Sequence, residues 1–402
     1  MSQAPVEPRS EHGSPHGPDG EGHRPKEKKG LAGFLFSGEG WPYFLVPFIP
    51  IALILEFVLH ADAIILFVTS ALGVIPTAAL MGRATEELAE RAGPGIGGLM
   101  NVTFGNLPEV IIAFIALNAG LYEVVKASII GSILGNALLV LGLAMFVGGL
   151  KNPLQKFSPT TASAQATMLI LAGVALLLPA VLWVIGGGSL PAPGEPDPTF
   201  GGDIETVSFI VAAVLLAAYS GGLLFSLKTH RDLFNPVAES HENAEIGHEP
   251  WTVKKAIILL AGAAFAVGLM AEILVHSISE TAERVGISEF FVGVIVVAVV
   301  GNAAEHWVAV LVAYKNKMDL AVNIAIGSAA QVALFVGPLL VILSFFFGPT
   351  PMPLVFNGLE IAGILLAVFA ASYVAGTGES TWFEGLMLLT VYIVFGVTFF
   401  FA

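Results

Sequence analysis

The chain has 402 residues, of which 55% are apolar and only 12% are charged, with a formal net charge of −14 and no cysteine. Soluble domains carry about a quarter charged residues, so this composition excludes an ordinary soluble protein. The absence of cysteine excludes disulfides, thiolate metal sites and cysteine nucleophiles. The acidic balance does not indicate a soluble acidic surface, because many of the acids lie within or beside apolar runs.

Apolar runs of roughly 20 residues, the length that crosses a bilayer, predict an all-α polytopic membrane protein with 11 transmembrane helices. The predicted spans are 41–60, 62–92, 96–119, 123–149, 161–186, 204–227, 251–285, 289–314, 319–347, 354–375 and 380–401. Ahead of them, residues 1–40 are polar and rich in Pro, Gly and His. We expect a disordered N-terminal tail there, followed by a short approach segment.

The basic residues predict the orientation of these spans. With the N-terminus in the cytoplasm, 15 of the 17 Lys and Arg residues face the cytoplasm, and only Lys126 and Arg284 face the other side. Cytoplasmic loops are enriched in Lys and Arg, so we expect a cytoplasmic N-terminus. The polar tail and the lack of a recognisable secretory signal favour a prokaryotic plasma (inner) membrane, and an organelle membrane stays open.

An acidic stretch at 228–250 separates spans six and seven. Glu239, Glu242, Glu245 and Glu249 are spaced by three or four residues, which would place them along one face of a helix. Two interpretations are open for this stretch. It is either a solvated cytoplasmic linker between two halves or a cytoplasmic cation sensor.

Spans two to six and seven to eleven repeat one another. Gly105–Glu109 recurs 196 residues later as Gly301–Glu305, and Ile130–Ser132 recurs at the same offset as Ile326–Ser328. Because each half has five spans, the halves enter the membrane from opposite sides, as in the inverted repeats of many secondary transporters. The predicted domains are an extra helix at 41–60, a first five-helix repeat at 61–227, the linker at 228–250 and a second five-helix repeat at 251–402.

Each repeat carries a glutamate deep within a span, Glu109 in the first and Glu305 in the second, with no Lys or Arg nearby in sequence. A charged side chain at the bilayer centre costs ~2.5 kcal/mol or more, so such a residue marks a functional site. Gly105 and Pro108 predict a broken helix before Glu109, since Pro cannot donate a backbone N–H. The second motif has Gly301 and no proline, so we expect a milder distortion there.

The polar residues near both glutamates are hard oxygen donors. The candidate metal ligands of the two motifs are Glu109, Glu305, Asn106, Asn302, Ser132 and Ser328. This set suits Ca²⁺, which takes six to eight oxygens in flexible geometry, whereas Mg²⁺ dehydrates reluctantly and transition metals prefer imidazole or sulfur. His306 is the one softer neighbour. It is either a hydrogen-bonded structural residue or a second proton site.

The two carboxylates also predict competition between protons and metal. Two charges ~6 Å apart repel by ~2.8 kcal/mol at an effective dielectric of ~20, so an empty pair favours bound protons. A divalent cation removes the repulsion and displaces them. A hydrogen-bonded glutamate pair that only fixes helix packing is the alternative interpretation of the same residues.

The strings Gly105-Asn-Leu-Pro-Glu109 and Gly301-Asn-Ala-Ala-Glu305-His306 resemble the Ca²⁺/H⁺ antiporter family of the cation/Ca²⁺ exchanger superfamily. Supporting strings are Ala84–Ala89, Ser128–Asn136 and Ala325–Gln331, and the resemblance covers residues 41–401. It implies eleven helices and a central site at the two glutamate motifs. It also implies that Asn136 and Gln331 line the pathway as further candidate metal ligands. Glu87 and Glu280 are implied to act near the aqueous cavities as outer acids or proton acceptors. Pro108, where many relatives carry another residue, is a small departure.

The expected function is secondary active exchange of Ca²⁺ for H⁺ by alternating access. Both ions are cargo and no cofactor is expected. The expected surroundings are a lipid bilayer and no nucleic acid, and a homo-oligomer is compatible with the sequence. Na⁺/Ca²⁺ exchange, which would favour Thr or Ser at Asn106 and Asn302, and a passive cation channel are the alternatives. No metalloprotease His pair, phosphate loop or Ser-His-Asp arrangement indicates an enzyme.

Overall fold

The structure, a computed structural model, describes residues 40–193, 200–229 and 251–402, without the side chains of 93–96, 102, 227 and 229. The predicted disorder of the tail and the predicted character of most of the 228–250 linker therefore lie outside the described residues.

Within the described ranges, 11 helices are long and apolar enough to cross a membrane, which confirms the predicted number. They are α1 (Trp41–Leu59), α2 (Ala63–Ala92), α3 (Gly97–Asn118), α4 (Tyr122–Lys151), α5 (Pro159–Ile185), α6 (Gly202–Leu224), α7 (Val253–Val285), α8 (Glu289–Tyr314), α9 (Met318–Ser344), α10 (Gly358–Thr377) and α11 (Trp382–Phe400). Helical backbone continues from α2 into α3, over Ala63–Gly105. The chain nevertheless folds back between them. The fold-back is seen in the close approach of Gly97 to Ala89, since a Cβ on Gly97 would lie 2.0 Å from the Ala89 carbonyl oxygen.

Successive helices cross the protein in alternating directions. We call the face where α1 begins face I and the opposite face, where α1 ends, face II. Contacts between distant segments agree with this assignment. Arg284 at the end of α7 forms an ion pair with Asp62 before α2, both at face II. Gln155 after α4 donates a hydrogen bond to the carbonyl oxygen of Ala313 in α8, both at face I.

The two halves are repeated and inverted, as predicted. Helices α2–α6 form the first repeat and α7–α11 the second, and the first begins at face II whereas the second begins at face I. The hairpin between α3 and α4 turns at Gly120, with φ of 80°, and the hairpin between α8 and α9 turns at Asn316, with φ of 62°. These residues are 196 positions apart. Gly and Asn are the residues that adopt left-handed backbone most readily.

Helices α4 and α9 carry matching distortions in their middles. A π-helical turn covers Gly135–Val140 in α4 and another covers Val332–Val336 in α9. These turns follow the Ser132 and Ser328 motifs and occupy nearly equivalent places in the two repeats. π-helical turns inside α-helices occur frequently at functional sites, and these two follow directly after the Ser132 and Ser328 motifs of the two repeats.

The segment between α9 and α10 differs from the predicted spans, which end at 347 and begin at 354. Residues 345–357 are not helical, although they include the apolar run Phe345–Phe347. Pro349, Pro351 and Pro353 explain the difference, because proline lacks the N–H that a helix interior requires. The second half of the segment, residues 352–357, is nevertheless buried, with Phe356 fully covered.

This segment, which we call strap 2, crosses face II and ties down the α3–α4 hairpin. The hydroxyl of Tyr122 donates to the carbonyl oxygen of Thr350 at 2.5 Å, and the Thr350 N–H donates back to that hydroxyl at 2.8 Å. One turn further along α4, the buried Lys126 donates to the carbonyl oxygen of Val355 at 3.0 Å. Side chains of the first repeat thus satisfy the backbone of a buried loop from the second.

Residues 152–158, which we call strap 1, make the equivalent connection at face I. Gln155 Nε2 donates to the Ala313 carbonyl oxygen at 2.8 Å and to Asn316 Oδ1 at 3.1 Å, so strap 1 ties down the α8–α9 hairpin. Strap 1 also contributes a short strand, β1 (Gln155–Lys156), which pairs antiparallel with β2 (Glu379–Ser380). Each strap therefore holds the hairpin of the opposite repeat.

The long helices α2 and α7 are joined at both ends by polar contacts that we call latches. At face II, Arg284 pairs with Asp62 and with Glu280, the latter at 2.5 Å. At face I, Arg91 Nε donates to the Trp251 carbonyl oxygen at 2.6 Å, and the Trp251 N–H donates to Glu87 Oε2 at 2.6 Å. In each latch the end of one long helix holds the chain that enters the other.

Helices α4 and α8 make a backbone contact on the face II side of the protein centre. A Cβ on Gly131 would lie 2.0 Å from the carbonyl oxygen of Val294, so only glycine fits there. The repeat equivalent of Gly131 is Gly327 in α9. Among the described residues, the atoms nearest to a Cβ on Gly327 belong to the Gln165 side chain, at 3.1 to 3.6 Å. The close contact therefore has no equally close counterpart at Gly327.

This difference predicts that adding one methyl group lowers the stability of the protein at Gly131 but not at Gly327. Gly131→Ala places a Cβ against rigid backbone and should cost about 1–3 kcal/mol, the usual range for overpacking. We expect the midpoint of thermal unfolding in detergent to fall by several degrees. Gly327→Ala is the matched control, because the end of the flexible Gln165 side chain can move aside, and its midpoint should stay near that of the wild type. Equal midpoints for the two variants would contradict the close packing of α4 on α8.

Candidate ion-binding site

Four helices bring the predicted polar residues together: α3 and α4 from the first repeat, α8 and α9 from the second. The first signature lies at a break, where Asn106 has φ −90° and ψ 10° between two helical segments. Pro108 falls in the first turn of the second segment, where its missing N–H has no helical partner to lose. The second signature continues through regular helix after a π-helical turn at Val292–Val297. The predicted break and the milder distortion are both present.

The two glutamates cross at the centre, each beside the glycine of the other signature. A Cβ on Gly301 would lie 3.4 Å from Glu109 Cγ, and a Cβ on Gly105 would lie 3.5 Å from Glu305 Oε1. The contact is reciprocal and joins opposite repeats. The glycine of each signature therefore makes room for the carboxylate of the other, so both carboxylates share one volume.

Amides and hydroxyls complete the polar centre. Ser328 Oγ donates to Glu305 Oε2 at 2.9 Å. Two amides reach across to the opposite repeat. Asn302 Nδ2 donates to Ser132 Oγ at 3.2 Å, and Asn106 Nδ2 donates to Gln331 Oε1 at 2.7 Å. All six candidate ligands of the two motifs are thus gathered, together with Gln331.

The centre is not symmetric. Asn302 bonds to Ser132, but its counterpart Asn106 bonds to Gln331 rather than to Ser328. Within the part of the chain that the structure describes, Glu109 Oε2 and Asn302 Oδ1 are buried without a hydrogen-bond partner. A buried oxygen acceptor without a partner is costly, and two of them beside a second carboxylate suit a cation.

The donor set fits a hard cation. Among the described residues, no group of three or more His, Asp or Glu side chains is placed to hold a metal ion. The centre instead combines two carboxylates with neutral amide and hydroxyl oxygens, the ligand types that Ca²⁺ accepts in flexible geometry. A small cavity lies against Glu109 and is lined by Ser128, Ser132 and apolar side chains.

Two further predicted residues, Asn136 and His306, lie just beside this centre. Each is four residues beyond a member of the Ser132–Asn302 pair, one helical turn closer to face I. A Cβ on Gly135 would lie 4.0 Å from His306 Cε1, which brings His306 close to the π-helical turn that contains Asn136.

The predicted outer acids, Glu87 and Glu280, do not join the centre. Glu87 is buried in the face I latch, where it accepts the Trp251 N–H. Glu280 is exposed in the face II latch beside Arg284. Each lies near the C-terminal end of its helix, Glu87 at face I and Glu280 at face II, as expected for an inverted repeat. Their part in proton transfer stays a prediction.

One polar residue near the site was not predicted. Gln165 of α5 reaches Gly327, the neighbour of Ser328, and its Oε1 is buried without a hydrogen-bond partner among the described residues. The available signal was a glutamine inside an apolar span, among Thr161, Ser163 and Thr167. These neighbours made it resemble a polar helix end.

Comparison with known proteins agrees with this geometry. The sodium/calcium exchanger protein family matches residues 62–228 and 255–401, which are the two repeats. The Ca²⁺/H⁺ antiporter of Aphanothece halophytica is 42% identical over 367 residues, covering 89% of this chain and 95% of the other. The Ca²⁺/H⁺ antiporter ChaA of Bacillus subtilis (strain 168) is 43% identical over 345 residues, covering 85% of this chain and 93% of the other.

Solved structures show the same fold. The structure of native YfkE matches with a TM-score of 0.75 at 38% identity, covering 90% of this chain and 99% of that chain. The crystal structure of the H⁺/Ca²⁺ exchanger CAX matches with a TM-score of 0.67 over 91% of this chain and 93% of that chain, and its 16% identity supports the fold alone. As the two signatures indicated, the chain is a multi-pass membrane protein that belongs to the sodium/calcium exchanger protein family, within its Ca²⁺/H⁺ antiporter group.

Proposed function

We propose that the protein is a secondary active antiporter that exchanges Ca²⁺ for H⁺, with Glu109 and Glu305 as the shared binding groups. The observation that carries the proposal is the reciprocal crossing of these glutamates over Gly301 and Gly105. One site is thereby built equally from two oppositely oriented halves. The names of the Aphanothece and Bacillus relatives, both Ca²⁺/H⁺ antiporters, support the choice of ions.

Exchange follows from the chemistry of the carboxylate pair. Two carboxylates in one volume repel, and each has lost hydration. Protons or a divalent cation relieve both penalties, and a site filled by one has no charge left for the other. A site that is never stably empty and charged couples the inward movement of one ion to the outward movement of the other.

The neutral side chains supply the remaining oxygens for Ca²⁺. Ser328 donates a hydrogen bond to Glu305. Asn302 Oδ1, which is buried without a hydrogen-bond partner among the described residues, is available as a ligand. Asn106 and Gln331 form a bonded pair across the opposite side of the centre. When Ca²⁺ binds, the Gln331 Oε1 atom can exchange its hydrogen bond from Asn106 for a bond to the cation.

Alternating access needs a contact that closes one side at a time. The Gly131–Val294 backbone contact closes α4 on α8 toward face II, and the nearest described neighbour of Gly327 is instead a flexible side chain. This asymmetry supports a conformation in which the halves are closed at face II. The opposite state would bring the equivalent helices, α9 and α3, together.

We propose that face I is the cytoplasmic face of a prokaryotic plasma membrane. The basic residues support this sidedness, because the described Lys and Arg gather at face I, while Lys126 and Arg284 lie toward face II. Both of these side chains form bonds within the protein: Lys126 donates a hydrogen bond to strap 2, and Arg284 forms an ion pair in the face II latch. A cytoplasmic excess of Lys and Arg is the usual pattern.

A flux measurement tests the exchange directly. Purified protein in vesicles that are acidic inside and alkaline outside should take up Ca²⁺ without Na⁺, because outward proton flow drives it. Uptake should stop when the pH gradient is collapsed with an ionophore. Parallel vesicles receive Mn²⁺ or a Na⁺ gradient. Uptake that follows the Na⁺ gradient and ignores pH would make the protein a Na⁺/Ca²⁺ exchanger, and Ca²⁺ currents far above exchanger rates would make it a channel.

Neutral replacements test the two glutamates. Glu109→Gln and Glu305→Gln keep the side-chain shape and remove one charge, and losing a charged ligand worth roughly 3 kcal/mol lowers Ca²⁺ affinity ~100-fold. We expect exchange to vanish while expression and thermal stability persist. Glu56→Gln in α1, outside both repeats, is the matched control and should transport normally. Normal exchange by either site variant would remove that glutamate from the site.

Ser328→Ala tests the hydroxyl that holds Glu305. Hydrogen bonds to charged groups contribute about 1.5–3 kcal/mol, so half-saturating Ca²⁺ should rise by roughly 10-fold or more. Ser277→Ala is the control, since among the described residues the Ser277 hydroxyl donates to the Leu274 carbonyl oxygen within its own helix, α7, at 2.8 Å. An unchanged half-saturating concentration in Ser328→Ala would show that this hydroxyl does not support the ion-bound state.

A further inference from the structure

The interface between α4 and α8 is tightly packed at both ends and polar in the middle. The helices run parallel from face II to face I and belong to opposite repeats. Toward face II, Gly131 packs on the Val294 backbone. Toward face I, a Cβ on Gly148 would lie 2.9 Å from the Ala313 carbonyl oxygen. The two helices are therefore in close contact at both ends, and the polar residues Asn136 and His306 between them are buried.

Two polar levels lie between these closed ends. The first is the Ser132–Asn302 pair, in which the amide of Asn302 donates at 3.2 Å. The second follows one helical turn later on both helices, because Asn136 is four residues after Ser132 and His306 is four residues after Asn302. Residues four apart lie on the same helix face. The register thus places Asn136 and His306 across from one another.

The second level is not joined by a direct hydrogen bond. Asn136 is fully buried and His306 is 9% exposed. Among the residues that the structure describes, Asn136 Oδ1, Asn136 Nδ2 and His306 Nε2 have no hydrogen-bond partner. The first level is bonded and the second is not, although both helices continue. The π-helical turn at Gly135–Val140 begins at this second level and includes Asn136.

A third buried polar group lies on a helix that contacts the same π-helical turn. Tyr392 is on α11, which runs antiparallel to α4 and contacts the Gly135–Val140 turn. Toward face I, Gly385 of α11 packs on the backbone of Phe146, and toward face II, Gly396 approaches Ile295 of α8. Tyr392 lies between these contacts, and its hydroxyl is buried without a hydrogen-bond partner among the described residues.

The chemistry of this level indicates its occupant. An amide supplies a donor and an acceptor, a neutral imidazole nitrogen supplies one or the other, and a phenol supplies both. Buried water makes about three hydrogen bonds to polar groups that otherwise lack partners. These three groups carry no carboxylate, which is the ligand that compensates the charge of Ca²⁺, so neutral water suits them better than the cation.

We propose that Asn136 and His306, with Tyr392, bind enclosed water between α4 and α8, one turn to the face I side of the ion site. The water joins the two repeats without contributing a ligand to the cation. Asn136 and His306 are then positioning residues rather than Ca²⁺ ligands. Of the two roles open for His306, this assigns it the hydrogen-bonding one.

The water explains how a polar contact between the halves survives transport, and this step rests on the proposed antiport. Alternating access requires α4 and α8 to shift, since the close contact at Gly131 must open in the opposite state. A direct amide–imidazole bond would break during such a shift. A bridging water can change its partners over a small displacement at low cost.

Side-chain replacements test this positioning role. Asn136→Leu and His306→Leu fill the pocket with apolar atoms and exclude water, so the maximal exchange rate should fall at least ~10-fold while half-saturating Ca²⁺ changes less than about 3-fold, or ~0.7 kcal/mol. Asn136→Ser and His306→Asn keep hydrogen-bonding groups and space for water, and should retain most of the rate. Thr281→Val is the matched control, because Thr281 Oγ1 is also buried without a partner but lies in α7.

Each other outcome overturns a stated part of the proposal. A loss of Ca²⁺ affinity in Asn136→Leu comparable to that in Glu109→Gln would make Asn136 a ligand. An inactive His306→Asn with an intact Asn136→Ser would assign His306 a proton-carrying role instead. Wild-type rates in both Leu variants would remove the pocket from transport. If the wild type itself fails to exchange Ca²⁺ for H⁺, the proposed function fails, which is separable from these results.

A density map of the wild-type protein tests the pocket even if the Leu variants do not fold. At a resolution that shows ordered water, we expect density within hydrogen-bonding distance of both the Asn136 amide and His306 Nε2. A direct bond between these two side chains, with no room for water, would overturn the proposal.

Discussion

Two carboxylates that occupy one buried volume impose the main constraint on this structure. Glu109 and Glu305 each lie against the glycine of the other signature, so neither can ionise without meeting the other. In a site with few water molecules, such a pair is stable only when protons or a cation compensate its charge. Several features bring these two side chains together: the helix break at Asn106, the glycines of the two signatures, and the serine and amide side chains around them.

The rest of the fold holds the halves at their edges and leaves the centre adjustable. The straps and latches attach hairpins and long helices at both faces, through hydrogen bonds to backbone groups and through the Arg284 ion pairs. Between these attachments, the α4–α8 interface changes from bare backbone contact to polar levels. Rigid edges and a polar middle suit a site that must exchange its occupants.

The sequence predicted the helices, the inverted repeat and the two glutamates, because hydropathy and a long-range repeat are independent of packing. It did not predict strap 2, since Phe345–Phe347 and the residues after them are apolar and resemble the end and start of spans. Only the spaced prolines distinguish them. The different partners of Asn106 and Asn302 were also not predictable, because they depend on how the two halves are packed in one conformation. Gln165 was missed because its contact with Gly327 is made between helices.

The exchange of straps has a consequence for how such a protein arises. Strap 1 of the first half holds the second half, and strap 2 of the second half holds the first. The two hairpin turns that they hold, at Gly120 and Asn316, are 196 residues apart. This is the geometry of an isologous interface, in which the same surface serves both partners. The single chain is therefore equivalent to an antiparallel dimer whose subunits have been fused, and each ancestral subunit would have needed a partner inserted upside down to complete its ion site.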